Sequence, residues 1–303
     1  MPLGIEGEEL VATSEDFLAA ERLPSRIVFI GGGYISMEFA HVAAAGGAEV
    51  TVCHRSPVVL KGFDPDLAAM LTESYRRSGI DVRTQVRVRG VRPDGEALVV
   101  ELDDGERLPA DMVVHGAGRV PDLEALDLVA AGVASGRHGI DVDERMRSVS
   151  NPHVWAIGDA AGRGLPLTPL GVAQRRIAAR NTLGGEVDFD APVTPSIAFT
   201  DPPLAMVGLT EAQAVAQGLE VEARLIDTTA WASSRRVGAR VAGAKVIAER
   251  ISGRIVGAHL LGHNAEEVIN VFAVAMAAGM TAAELKAMPW AYPTGGWEIV
   301  YLI

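Results

Sequence analysis

Short apolar runs punctuated by glycine alternate along this chain with longer stretches whose apolar residues recur every three or four positions. Arg26-Ile27-Val28-Phe29-Ile30 is a β-branched run of the kind that forms a strand buried on both faces. It ends in Gly31-Gly32-Gly33. Tyr34 to Ala45 then carries apolar residues at Ile35, Phe39 and Val42 and reads as a helix, stopped by Gly46-Gly47. A second strand, Glu49 to Cys53, completes a βαβ unit. Asp66 to Ser78 predicts another helix. Asp81 to Val91 and Ala97 to Leu102 follow as alternating segments, and the turn signals Pro93-Asp94-Gly95 and Asp103-Asp104-Gly105 make them an antiparallel meander. Asp111 to Val114 predicts a last buried strand.

The texture then changes twice. Residues 117–190 hold a turn-rich passage, a short predicted strand Val154-Trp155-Ala156-Ile157, and a helix over Leu170 to Leu183. From about residue 191, strand-like segments (Ala205 to Leu209, Val221 to Asp227, Ala244 to Glu249, Arg254 to Leu261) alternate with amphipathic helices. That pattern predicts an α+β unit with an antiparallel sheet, following an α/β unit.

At 303 residues the chain has the length of roughly two domains. With 49% hydrophobic but only 5% aromatic residues, its cores should be aliphatic. A formal charge of -12 argues against a nucleic-acid partner, whose phosphates would be repelled. The acidic start lacks an apolar signal region, and no apolar run approaches the ~20 residues that span a bilayer. The expectation is a cytoplasmic protein with no membrane contact. Cys53 is the one cysteine, so neither an intrachain disulfide nor a cysteine metal cluster can form. The histidines are scattered, and no metal site is expected.

Gly31-Gly32-Gly33-Tyr34-Ile35-Ser36 fits the G-x-G-x-x-G pattern with Ser36 in the third position. The first glycine makes a tight turn, the second lets a pyrophosphate approach the backbone, and the third position must be small for close helix–strand packing. The helix start adds unpaired amides and a partial positive charge. At the end of the second strand, where an NAD site puts an acid for the ribose 2′-OH, the chain has His54-Arg55, with Lys61 shortly after. Two cations suit a 2′-phosphate, so NADPH is expected over NADH; the alternative is that Arg55 is a solvated surface charge. The segment 154–162 would deliver Asp159 at a strand end, where a carboxylate can hold a polyol hydroxyl or simply close an Asx-turn. Thr168-Pro169 reads as an N-cap followed by proline at the first helical position.

Together these segments resemble the pyridine nucleotide-disulfide oxidoreductase family. The resemblance runs through Ile30–Ala40, Gly116-Ala117-Gly118-Arg119-Val120-Pro121-Asp122, the 154–162 segment, Leu167-Thr168-Pro169, Phe199-Thr200-Asp201-Pro202-Pro203, Val207–Glu211, Ile255–His259 and Pro293-Thr294. It implies an α/β fold: a Rossmann-like NAD(P) domain over 21–116, a partial FAD domain over 117–190, and an α+β dimerisation domain over 191–303, with 1–20 as a link from the FAD domain. It implies FAD and NADPH as cofactors and a homodimer. Gly31, Gly33, Ile35 and Gly118 would line the cofactors, Tyr34 would shield the nicotinamide pocket, and Glu38 would orient the nicotinamide. Arg55 and Lys61 stand where NADPH-dependent members carry basic residues. Asp159 would bind the flavin ribityl chain, and Thr168 to Ala173 would run along the isoalloxazine edge.

Two departures qualify that reading. The family's first glycine-rich unit, which binds the FAD adenine half, and its redox cysteine pair have no counterpart here, so the chain reads as lacking its N-terminal FAD-binding half. The family's His-Pro acid/base stands here as Tyr292-Pro293, with Trp297 near the partner glutamate position and Glu298 one place late. A phenol is a poor proton donor–acceptor at neutral pH. The expected activity is therefore hydride passage from NADPH to flavin and on to a small-molecule electron acceptor, without the usual disulfide and histidine chemistry. The alternatives are a non-catalytic NADPH-binding dimerisation module, or a chain completed by a separately supplied FAD half.

Overall fold

The computed structural model describes residues 2–191 and 193–303 and divides into two units, Met1–Gly118 with Pro195–Ile303, and Arg119–Thr194. In the first unit a 3-10 turn (Glu8–Leu10) precedes a short helix α1 (Ser14–Ala19), capped reciprocally by Thr13 and Asp16. Then come β1 (Arg26–Ile30), α2 (Tyr34–Ala45), β2 (Glu49–His54), α3 (Pro65–Arg77) and β3 (Asp81–Thr84). The meander β4 (Val88–Asp94), β5 (Ala97–Leu102) and β6 (Arg107–Ala110) precedes β7 (Met112–His115). The strands β3, β2, β1 and β7 lie in that order in one parallel sheet. The predicted segment 81–91 therefore divides. Asp81–Thr84 pairs with β2 in the parallel sheet, and only the part from Val88 belongs to the meander. The meander's first turn sits at Gly95-Glu96, two residues past the proline, because Pro93 lies within the edge strand β4.

The β-branched run of β1 supplies two cores at once. Ile27 and Phe29 join Met37, Ala40, Leu67, Leu71 and Tyr75 on the helical face. Val28 and Ile30 join Val91, Val100, Leu102 and Leu108 on the meander face. Alternate side chains of a strand point to opposite faces, so five residues tie both layers together. Each fully buried aliphatic side chain contributes roughly 1.5–3 kcal/mol. Cys53 belongs to the meander core, and burial pushes its thiol up to about 12.

The same unit resumes with β10 (Ser196–Ala198), β11 (Leu204–Gly208), α5 (Glu211–Ala216), β12 (Val221–Asp227), α6 (Ala232–Arg236), β13 (Gly243–Glu249) and β14 (Ile255–Leu261). It closes with α7 (Ala265–Ala277), α8 (Ala282–Lys286) and α9 (Gly295–Leu302). Its sheet is antiparallel in the order β10-β11-β14-β13-β12. Ala205, Leu260, Ile269, Phe272 and Ile299 build a core on one face, whereas Leu204 and Leu261 turn to the α2–α3 core.

On that second face lies Lys245, 4% exposed and opposite His259 in register. Burial works against a charge on Lys245, but hydrogen bonds to Asp66 and Asp64 outweigh it and hold the ammonium above its ordinary value. Asp64 Oδ2 lies 3.0 Å away as an ion pair, and Asp66 bonds Nζ directly. Asp64 also caps α3 by accepting the Asp66 and Leu67 amides. This helix starts at Pro65, one residue before the predicted start, because Asp64 is its cap.

The second unit, Arg119–Thr194, holds the two-residue strands β8 (Ser135–Gly136) and β9 (Gly139–Ile140), a 3-10 turn Gly158–Ala160, and α4 (Thr168–Thr182). Its core is Val133, Ile140, Met146, Ala156, Ala161, Leu170, Ala178 and Phe189. The predicted strand 154–157 does not form. Among the described residues Trp155 makes one bridge to Arg147, and Ser148 N–H donates to Val154 O at 2.8 Å. An apolar run becomes a central strand only where two strands flank it, and here the 146–148 segment alone is alongside. An apolar cavity of about 410 Å³ opens beside Val154 and Trp155, and the Trp155 Nε1 is buried without an acceptor among the described residues. Gln174, 1% exposed on α4, holds the 158–160 turn. Its Oε1 accepts Gly158 N–H at 2.7 Å and its Nε2 donates to Arg163 O at 2.8 Å.

Two outcomes follow. Lys245→Met should cost about 3–5 kcal/mol in urea unfolding, since it leaves a buried Asp64 carboxylate unpaired; adding Asp64→Asn, which preserves the cap, should recover part of that loss. The raised lysine pKa makes this contribution complete below the ordinary lysine range and lost as pH rises through the folded value, so wild type alone should lose this increment in alkali. Separately, Gln174→Leu should lower stability by about 1–3 kcal/mol for each backbone group it orphans, read as a drop in Tm.

Candidate functional site

The turn after β1 is fixed by close backbone approach. Gly31 has φ +107°, and a Cβ there would stand 2.5 Å from Gly116 O and 2.6 Å from the Ala117 backbone. Its amide donates to Cys53 O at 2.8 Å. A Cβ on Gly33 would stand 3.4 Å from Gly116 O, and Gly33 caps α2 with no side-chain hydrogen bond. The first amides of α2 thus lack any capping side chain and carry the positive end of the helix dipole. Ser36 fills the third small position, fully buried, and its Oγ lies where a Cβ on Gly116 would be. The room that a third glycine would give is supplied instead by Gly116, a partner that spacing within the motif could not reveal.

The segment His54 to Asp64 folds over this turn. Leu60 N–H donates to Gly32 O at 2.7 Å. Gly32 N–H donates to His54 Nδ1 at 3.0 Å, and His54 Nε2 lies 3.1 Å from Val58 O. Because Gly32 N–H points at Nδ1, the ring is neutral and carries its proton on Nε2; burial lowers the His54 pKa, the Val58 carbonyl opposes this, and Arg55 lowers it further. Arg55 and Lys61 are both exposed, and among the described residues neither has a carboxylate within ion-pair distance. Tyr34 is 40% exposed with its ring edge-on to Phe63 at 5.4 Å, and burial raises its phenol pKa against a hydrogen bond with Ser196. Glu38 Oε1 accepts Phe199 N–H at 2.9 Å, and His41 Nε2 lies 3.1 Å from Phe199 O. The helix therefore grips the 199 peptide from both sides, with His41 unanticipated from the sequence. Ile35 is half-buried, and Gly118 ends this unit with φ +116°.

In the second unit Asp159 is exposed on the turn that Gln174 holds, next to Gly158 with φ +59°. Gly171 permits the helix to approach, since a Cβ there would stand 3.3 Å from Gly158 Cα. Thr168 is the first residue of α4 and not its cap; Leu167 precedes the helix and offers no side-chain acceptor. The predicted capping bond is thus absent, because the helix begins one residue early. Ala173 is half-buried on α4. Near the C-terminus Tyr292 is 73% exposed, and its ring meets Trp297 edge-on at 4.9 Å. Glu298 is engaged elsewhere: it accepts Ser233 Oγ–H at 2.6 Å and Ser233 N–H at 3.3 Å. Tyr292 and Glu298 share no hydrogen bond among the described residues. There, too, no group of three or more His, Cys, Asp or Glu converges as for a metal, and no helix is long and apolar enough to cross a membrane.

This arrangement agrees with comparisons to known proteins. The chain is 36% identical to a glutathione reductase of Burkholderia cepacia, over 98% of its own length and 66% of the relative's. It is 34% identical to a mycothione reductase of Mycobacterium tuberculosis, over 93% of its length and 62% of that protein's. It thus spans somewhat under two thirds of the length of these relatives. The HOCl-induced flavoprotein disulfide reductase RclA from Escherichia coli superposes with a TM-score of 0.90 at 28% identity, covering 100% of this chain and 70% of the other. Residues 194–302 match the family model for the pyridine nucleotide-disulphide oxidoreductase dimerisation domain. Residues 1–176 match the model for pyridine nucleotide-disulphide oxidoreductase itself, and the chain belongs to that family.

Proposed function

We propose that this chain is the NADPH-binding and dimerising part of an FAD-dependent NAD(P)H oxidoreductase that reduces a small-molecule acceptor other than a disulfide. One observation carries the reading: a glycine turn too close to 116–117 for any side chain, beside an uncapped helix start and two exposed cations without carboxylate partners among the described residues. That set fits a dinucleotide with a 2′-phosphate. The α2 amides bind the pyrophosphate, Gly31 and Gly33 admit it to the backbone, and Arg55 and Lys61 hold the extra phosphate. Tyr34 covers the nicotinamide pocket, and Glu38, anchored through Phe199, orients that ring. Asp159 holds a flavin hydroxyl, and the uncapped first turn of α4, from Thr168 towards Ala173, presents its positive end to the ring edge. When bound, nicotinamide and flavin together supply hydride transfer; the protein supplies orientation and charge.

The acceptor class rests on Cys53 and on the residues present near Tyr292. Cys53 is buried with its thiol pushed up to about 12, so it is neither thiolate nor accessible. Tyr292 carries a phenol in place of an imidazole, and Glu298 is held by Ser233. Dithiol chemistry would need groups from outside these residues. A homodimer built through residues 194–302 completes the reading. A second reading, a non-catalytic NADPH-binding module, is favoured by the 154–157 segment, which among the described residues is paired on one side only, and by the open apolar cavity beside it. A family relative's remaining third, encoded upstream or on another chain, would complete the flavin site.

Purified chain should therefore be colourless or hold flavin well below one per chain; near-stoichiometric flavin absorbance overturns the second reading and supports a self-sufficient enzyme. Arg55→Glu should weaken NADPH binding by about tenfold to a hundredfold, the loss of one charge-assisted phosphate contact, with NADH little changed in titration calorimetry. Equal NADPH affinity in the variant removes the 2′-phosphate assignment.

A further inference from the structure

A dinucleotide turn needs glycine at its first and third places but accepts other residues between them. Here the middle position is also glycine, although its φ lies outside the left-handed region. The structure gives a reason. A Cβ on Gly32 would stand 2.9 Å from His54 Cγ and 3.1 Å from His54 Nδ1, with Val59 Cγ1 at 2.8 Å. His54 ends β2, the position at which an acid would otherwise read the ribose 2′-OH. Its ring is turned to the peptide of Gly32 and spends both nitrogens on backbone: Nδ1 accepts Gly32 N–H, and Nε2–H donates to Val58 O. Leu60 N–H closes the arrangement on Gly32 O. Both polar groups of the middle glycine are thus committed to the segment His54–Lys61, the carbonyl to the loop itself and the amide to the residue just before it.

We infer that Gly32 and His54 form a matched pair that positions the Arg55–Lys61 loop against the dinucleotide turn, making His54 a specificity-determining positioning residue for the 2′-phosphate. This rests on the NADPH reading of the same site. The physical content is pre-organisation. A loop tied down at Gly32 and Val58 presents its cations already ordered, whereas a loosened loop must be ordered by the ligand at the expense of affinity. Nucleotide lacking the 2′-phosphate makes no use of those cations, so the pair should act on NADPH and not on NADH. The same geometry assigns His54 no contact with the phosphate itself, because both ring nitrogens are engaged.

The test is a double-mutant cycle on the full chain, with NADPH and NADH affinities measured by calorimetry and Tm by thermal unfolding. His54→Ala should weaken NADPH about tenfold and NADH less than about twofold. His54→Asn, whose Oδ1 can take over the acceptor role of Nδ1 towards Gly32, should recover most of the loss. Gly32→Ala should resemble His54→Ala, and the double variant should lose no more than Gly32→Ala alone, where independent effects would multiply to about a hundredfold. Multiplicative losses, an unchanged NADPH:NADH ratio in His54→Ala, or failure of Asn to rescue overturns the inference. Wild type that binds neither nucleotide defeats the NADPH reading instead; the pairing then stands or falls on whether the Gly32→Ala and His54→Ala effects on Tm are non-additive.

Discussion

The backbone of Gly31 lies so close to that of Gly116 and Ala117 that no side chain fits between them, and the geometry of the candidate site is set by that approach. Parallel pairing of β1 with β7 brings the two segments side by side, and their ends leave the sheet together. Two glycines absorb the contact and Ser36 packs into the space left at Gly116. The head of α2 is thereby fixed at the carboxyl end of β1, capped by a glycine with no side-chain hydrogen bond. The shape of this turn is a property of sheet pairing as much as of the glycine motif.

The loop carrying the two cations is secured at both ends by different chemistry. At its start a neutral imidazole uses its two nitrogens on backbone groups. At its end Asp64 caps α3 and faces a lysine that comes from the antiparallel sheet. The second anchor crosses from the nucleotide-binding portion to the portion matched by the dimerisation model, within one compact unit. A buried ion pair of this kind contributes modestly as a pair, but losing either partner is costly, so it fixes where the two portions meet.

Most of the architecture was readable from pattern. The two-faced run 26–30, the capped helices and the alternating strands of the last third all gave elements close to those observed. The errors have physical causes. Residues 81–84 alternate like their meander neighbours, yet β2 offers an open parallel edge and captures them. Residues 154–157 have strand composition but lack flanking strands among the described residues. In the candidate site, the motif singled out Gly31, Gly33 and Arg55 because close approach and charge restrict residue type, and Gly31 does meet the 116–117 backbone. The contacts Gly31–Gly116, Gln174–Gly158, His41–Phe199 and His54–Gly32 were not legible. Each is defined by a partner distant in sequence, and a lone glutamine or histidine has no periodic signature.

Cys53 sits in the sheet centre between β1 and β3, shielded by the meander and held protonated by burial. A single sealed thiol behaves as an intrinsic reporter: reagents in solution reach it only when the strands around it separate. Its rate of alkylation measures how often the nucleotide-binding sheet opens, one event per chain, with no label or engineered residue required.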